Sequence, residues 1–251
     1  MILLPMSERI HEFASAEAVR CLIESGAGRI DRATIDLLLE DYQVDYLPRQ
    51  SFIARYGEKV QRLILIAYGT CSWSLSNEDG LESIVSFCHS GTWAGITELV
   101  DDYPWRADFC AESEVVAISW THEIISGKLG SNASFWRFLA GRTINHLAIQ
   151  FSLTLADRRP LHEKLALLLG LLVDRRAQEI YGSGGQANLS VPLTQERLAA
   201  ALRCSRQSIN QVLADMRKAG IVSTGREHVA ILDPVRLMVW GGVSKAGTRN
   251  R

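Results

Sequence analysis

The stretch LTQERLAAALRCSRQSINQVLADMRKAGIVS, residues 193–223, decides the reading of this chain. Thr194 is a good N-cap for a first helix over 195–202, and Arg203-Cys204-Ser205 makes a short turn. Ser205 caps a second helix that runs to Gly220, placed where a glycine closes a helix. Ile209, Val212, Leu213 and Met216 recur at helical spacing and form one buried stripe, leaving Arg206, Gln207, Asn210 and Gln211 on the opposite face. Arg donates twice to guanine, and Gln and Asn pair with adenine, so these residue types read base edges from a major groove. Beyond Gly220, IVSTG and EHVAIL read as two strands joined around Gly225-Arg226, a hairpin wing whose Arg226 can meet phosphate. The spacing predicts a winged helix-turn-helix with Thr194, Ser205, Arg206, Gln207, Ser208, Asn210, Gln211 and Arg226 as its DNA-binding set.

Working outward, charge agrees with this placement. The 251 residues carry a net charge of −1, yet residues 186–251 hold ten Lys+Arg against four Asp+Glu. The acidic front and basic end imply that only the end meets a polyanion, unless the asymmetry is an ordinary fluctuation. Before it, YGSGGQANLS (181–190) reads as a loop; no Lys-Ser/Thr follows its glycines, which excludes a phosphate-binding P-loop.

Residues 46–120 read as short strands: RLILIAYG, CSWSLS, ESIVSFCHSG and EVVAISW, punctuated by Gly57, Gly69, Gly80, Gly91 and Gly95. Asp79-Gly80 is a hairpin signal. Short strands turning this regularly predict a small barrel or sandwich. A long helix over 134–157 follows, with Ile144, Ala148, Phe151 and Leu155 in a heptad-like seam. That seam packs either on its own domain or across a two-fold axis. Arg158-Arg159-Pro160 ends the helix, and a leucine-rich helix over 162–178 comes next. The fold class is α+β: N-terminal short strands in a small antiparallel barrel or sandwich, a long helix and a C-terminal winged helix.

Other classes find little support. The longest apolar run, 165–173, is too short to span a bilayer, and MILLPMSERI lacks the features of a secretory signal, so a cytoplasmic protein without membrane contact is expected. Cys21, Cys71, Cys88, Cys110 and Cys204 are scattered and odd in number, which favours buried apolar side chains over disulfides or zinc. No His-Glu-x-x-His, Gly-x-Ser-x-Gly or Walker loop is present, so an enzyme is not expected. A ligand sensor acting on protein partners is the alternative from another class, opposed by Arg206-Gln207 and the basic end.

With these residues in view, the chain resembles the CRP/FNR family of bacterial transcription regulators over about residues 30–240. Residues 193–223 look like that family's helix-turn-helix, including Ser205-Arg206, and the glycine rhythm from Gly57 to Gly95 looks like its cyclic-nucleotide-type β-roll. The resemblance implies a homodimer on a near-palindromic double-stranded DNA site, acting with RNA polymerase. With the N-terminal antiparallel β-roll and dimerisation helix that it also implies, the expected divisions are an extension (1–30), the roll (31–133), the dimerisation and connecting helices (134–180) and the winged domain (186–251). Cyclic-AMP-binding members carry a Gly-Glu pair and, ten residues after the Glu, an Arg-Ser pair. Here Gly95 and Arg106 match, but Ile96 and Ala107 replace the Glu and Ser, and Ile149 and Gln150 fall where two adenine-contacting hydroxyl residues belong. Cyclic AMP is therefore not the expected effector. Arg106 is expected either to ion-pair with Glu98, Asp101, Asp102 or Asp108, or to bind a different anionic effector. Only Cys21 lies in the first 70 residues, which excludes the family's iron–sulfur cluster. No cofactor is expected, with haem kept as an alternative on His11, His89, His122, His146 or His162. Cyclic-AMP-binding members have Glu and Arg at Gln207 and Gln211, so a kept guanine contact with altered neighbouring preference is implied.

Overall fold

The computed structural model describes residues 13, 15–25, 29–76, 82–101, 103–155, 158–172 and 189–242. The chain divides into two compact units, residues 1–75 with 85–149, and residues 76–84 with 150–251. Asp79-Gly80, His11, Asp102 and most of the 181–190 loop lie outside the described residues.

The first unit is built on two antiparallel sheets, apart from their residues within 76–84, which group with the second unit. One has the order β1 (Gln43–Leu47), β8 (Val115–Thr121), β3 (Arg62–Tyr68), β6 (Trp93–Ala94). The other has the order β2 (Phe52–Ala54), β7 (Asp108–Ala111), β4 (Thr70–Ser76), β5 (Glu82–His89). This is the expected β-roll. Leu63 through Ala67 are all buried, so β3 carries an unbroken apolar run where a half-exposed strand would alternate. Register sets Leu65 opposite Ile118 on one side and Trp93 on the other.

Helices absent from the sequence reading cover this core. Ser15 caps α1 (Ala16–Glu24) and Asp31 caps α2 (Arg32–Glu40), each through its side chain to the amide three residues on. Val19, Ile23, Ile35 and Leu38 are buried against the roll's core, and the Trp120 indole N–H donates to the Leu38 carbonyl at 2.7 Å. Two more are short, α3 (Ile96–Asp101) and α4 (His122–Ile124), the latter running into a π-helical turn over Ile125–Leu129. The long helix α5 (Ala133–Leu155) follows, with Phe135, Phe138 and Leu139 buried near its start.

Asp31 sits in a network that titrates. Its carboxylate accepts from the Thr34 amide at 2.8 Å and hydroxyl at 2.9 Å, while Asn132 donates to the same hydroxyl at 3.0 Å. Hydrogen bonds from Ser134 first, then from Thr34, lower its pKa from 3.8 to about 2. A depressed carboxyl pKa stabilises the fold above the unfolded value and loses that contribution as pH falls through the folded one. Thermal melting followed downward from pH 5 should therefore show a loss between about 4 and 2 that Asp31→Asn removes; equal pH dependence in both proteins would refute the role.

The second unit begins its described helices with α6 (Leu161–Leu172), whose Leu165, Leu168, Leu169 and Leu172 are buried. After it come β9 (Leu189–Val191), α7 (Gln195–Ala201), α8 (Arg206–Lys218), β10 (Val222–Thr224), β11 (Val229–Ile231) and α9 (Pro234–Trp240). The wing has three strands in the order β10-β11-β9, with Val222 opposite Ile231 and Val229 opposite Val191. This corrects the loop read over 181–190: Leu189 and Ser190 belong to a strand, which forms because β11 has a free edge to pair. Among the described residues, no helix is long and apolar enough to cross a membrane.

Candidate nucleic-acid interface

Local sequence builds the reading helix. Thr194 accepts from the Arg197 amide at 3.2 Å and caps α7, with the Thr194 side chain half-buried; Ser205 accepts from the Ser208 amide at 3.1 Å and caps α8. The Ser208 hydroxyl lies 2.8 Å from that of Ser205, so both hydroxyls cluster at the start of α8. Ile209, Leu213 and Met216 are buried at 1% exposure or less, which fixes the rotation of α8 about its axis. Arg206, Gln207, Asn210 and Gln211 consequently face solvent together, the base-reading types on one exposed surface.

The helix ends share one motif. At the end of α8 the Ile221 amide donates to the Met216 carbonyl and the Gly220 amide to that of Arg217, both at 2.9 Å. Gly220 has φ +69, a conformation glycine adopts without steric cost. At the end of α7 the Cys204 amide donates to Ala199 at 3.1 Å and the Arg203 amide to Ala200 at 3.3 Å. This is the same double closure, with Arg203 at φ +51 where a glycine belongs.

Cations around the reading helix differ in how far they are engaged. Arg197 pairs with Glu82, of the stretch 76–84 that groups with this unit, at 2.5 Å; Arg217 donates to the Thr224 hydroxyl at 3.0 Å; Lys218 lies 3.9 Å from Asp215. Arg203, Arg206 and the wing-tip Arg226 are exposed and have no side-chain partner among the described residues. They present charge that no described residue neutralises, as phosphate or base recognition requires. Gln211 is partly engaged, its amide nitrogen 3.4 Å from the Asp215 carboxylate, a long hydrogen bond easily exchanged for a better one.

The expected effector positions are Gly95, Ile96, Arg106, Ala107, Ile149 and Gln150. Gly95 is buried at φ +83, and a Cβ there would sit 2.6 Å from the Arg62 carbonyl, so backbone conformation and close approach both demand glycine. The Trp105 ring lies beside the same point. Trp73 stacks on Phe109 with centroids 4.0 Å apart and lies 5.5 Å from Trp105, so three aromatic rings fill the roll next to Gly95. Ile96, Ala107 and Gln150 are half-buried, and the side chain of Ile149 lies outside the described set. Arg106 does not form the expected ion pair with Asp108. Its guanidinium is exposed over the Tyr103 ring, 4.4 Å from the centroid, while Asp108 accepts the Tyr56 amide at 2.8 Å. The side chains at 98, 101 and 102 lie outside the described set.

The histidines and cysteines are spread out. His89 contacts the Ser90 carbonyl, His162 stands edge-on to Trp240, and His122 starts α4. His146 on α5 is held below the ordinary histidine pKa, first by burial and then by the charge of nearby His89. Among the described residues no group of three or more His, Cys, Asp or Glu could hold a metal ion. The five cysteines are free; burial pushes the Cys88 thiol up to about 12 and raises Cys71 as well, so both are unreactive apolar filling. On α5, Ile144, Leu147 and Phe151 are 65%, 47% and 66% exposed and Ala148 is exposed too; the side chain of Leu155 lies outside the described set.

Comparison with known proteins places these features. Residues 163–240 match the Crp-like helix-turn-helix domain family, and residues 44–132 match the cyclic nucleotide-binding domain family. A CRP-like cAMP-activated global transcriptional regulator of Mycobacterium tuberculosis is 25% identical over 215 residues, covering 83% of this chain and 92% of that protein. The transcriptional activator protein FnrL of Cereibacter sphaeroides is 21% identical over 198 residues, covering 76% and 77%. Among solved structures, FixK2 of Bradyrhizobium japonicum superposes with a TM-score of 0.65 at 17% identity, covering 80% of this chain and 97% of that one. A CRP-family transcriptional regulator of Thermus thermophilus superposes with a TM-score of 0.62 at 20% identity, covering 79% and 96%.

Proposed function

The chain belongs to the CRP/FNR family of DNA-binding transcriptional regulators, and from that premise we propose that it acts as a homodimer on a near-palindromic site without cyclic AMP as its signal. The observation that carries DNA recognition is the exposed row Arg206, Gln207, Asn210 and Gln211 on a helix whose rotation Ile209, Leu213 and Met216 fix. Thr194, Ser205, Ser208 and Arg226 flank that row and supply phosphate contacts, which set register without reading sequence. Selection of bound duplexes from a random pool tests the reading. A recovered motif with two inverted half-sites about one helical turn apart supports it; recovery of no motif would turn the winged helix into a protein-interaction module.

Dimerisation is supported by the apolar residues that α5 leaves in solvent. Ile144, Leu147 and Phe151 lie at helical i, i+3 and i+7 spacing on α5, an apolar stripe of the kind that a second helix covers. Contact with RNA polymerase is supported by the family resemblance.

The reading without cyclic AMP is supported by the side chains at the matched positions. Ile96 and Ala107 offer no hydrogen bond to ribose or phosphate, and each lost bond to a charged group costs roughly 1.5–3 kcal/mol. Trp105, Trp73 and Phe109 occupy the region beside Gly95. Isothermal titration with cyclic AMP and cyclic GMP should give no heat at micromolar nucleotide, and saturable micromolar binding of either one would overturn the proposal. A visible absorption spectrum of the purified protein tests the haem alternative, which a Soret band would favour.

A further inference from the structure

We propose that Arg203, in the turn between the two helices of the reading unit, is a phosphate clamp that holds the DNA backbone beside the recognition helix. Two equivalent helix ends in this protein are closed by the same pair of hydrogen bonds, and at one of them the left-handed residue is Gly220. At the other it is Arg203, with φ +51. A side chain in this conformation brings Cβ too close to the following carbonyl, a cost that glycine avoids altogether. The local backbone therefore favours glycine over arginine here.

Among the described residues the side chain takes no compensating contact. Arg203 is exposed and has no hydrogen bond or ion pair from its guanidinium among the described residues. Arg197 and Arg217, on the flanking helices, are by contrast held by Glu82 and Thr224. Arg203 stands two residues before the Ser205 cap and three before Arg206, on the approach to the helix end that enters the groove. Strain kept in the backbone, with a free cation at its tip, marks a residue retained for a partner rather than for stability. A duplex backbone supplies the anion, and phosphate recognition by Arg carries no sequence preference.

The inference rests on the DNA-binding reading, so the test begins with the full-length wild-type protein and a duplex it selects. Arg203→Gly relieves the strain and removes the cation, while Arg203→Lys keeps the charge. The glycine variant should melt about 2–4 °C higher. It should nevertheless bind the selected duplex about three- to tenfold more weakly at low salt, with log K against log salt shallower by about 0.9 per protomer. The lysine variant should keep most of the wild-type salt slope. Higher stability with weaker binding is a combination that a purely structural residue does not produce. Wild-type affinity and slope in the glycine variant would overturn the clamp and leave DNA recognition standing. Failure of the wild type to select any duplex would overturn both.

Discussion

Arg206→Ala is expected to abolish sequence-selective DNA binding while leaving non-specific, salt-sensitive binding in place. Arg206 is the first residue of α8, directly after the Ser205 cap, and its exposed guanidinium has no side-chain partner among the described residues. The helix beneath it is anchored by Ile209, two turns of packing with Leu213 and Met216, and a glycine closure at Gly220. Truncating Arg206 thus disturbs nothing that holds the helix, and an exposed substitution of this kind shifts stability by roughly 0.5 kcal/mol at most. The loss falls on recognition. A bidentate arginine–guanine contact is worth about 1–3 kcal/mol of discrimination, and a two-fold site uses it twice. Together these amount to roughly 2–6 kcal/mol, comparable with much of the margin by which specific sites exceed random DNA. Arg226, Arg203 and the rest of the basic end remain to meet phosphates, so residual binding should weaken steeply with salt. Duplex selection repeated with the variant checks this: recovery of the wild-type motif would show that the reading face has been assigned to the wrong residues.

The second large effect concerns α5. Ile144→Glu combined with Phe151→Glu should convert the proposed dimer to a monomer at micromolar concentration, measured by light scattering after size exclusion. Both side chains are about two-thirds exposed within one chain, so the fold of the single protomer does not depend on them. Burying an Ile or a Phe across a two-fold axis contributes about 1.5–3 kcal/mol per side chain, and each residue is used twice. Replacing them with carboxylates removes that gain and sets like charges against each other in a desolvated seam. Binding to an inverted repeat should fall in parallel, because two linked half-site contacts become independent ones. The melting temperature of the monomeric variant should stay concentration-independent. A double variant that keeps the dimer's mass would remove α5 from the interface.

Much of the reading unit was legible because its signals are local. A cap acts on amides two or three residues away, and a helix stripe repeats within four, so Ser205, the 209–216 stripe and Gly220 could be placed without a partner in view. Signals of the same kind lie elsewhere in the chain. Ser15 and Asp31 cap α1 and α2, and Asp233 with Pro234 at the first helical position starts α9. In the roll, strand-length apolar runs between glycines were sufficient for strand type, though not for pairing: β3 lies between β8 and β6, a neighbourhood that no local pattern encodes.

By itself, then, the sequence determined what short-range hydrogen bonding and periodicity determine: a capped recognition helix with Arg206 on its exposed face, a β-rich first half and a long apolar-seamed helix between. Tertiary structure decided what depends on residues distant in the chain. It paired Leu189–Val191 with β11, filled the roll beside Gly95 with Trp73, Trp105 and Phe109, and laid Arg106 on Tyr103 rather than on Asp108. It also set Arg203 in the left-handed conformation that closes α7. The physical reason is range. Caps and stripes are satisfied within a turn or two of helix, whereas an unpaired strand edge, a space between sheets and a free guanidinium take whichever partner the folded chain brings near.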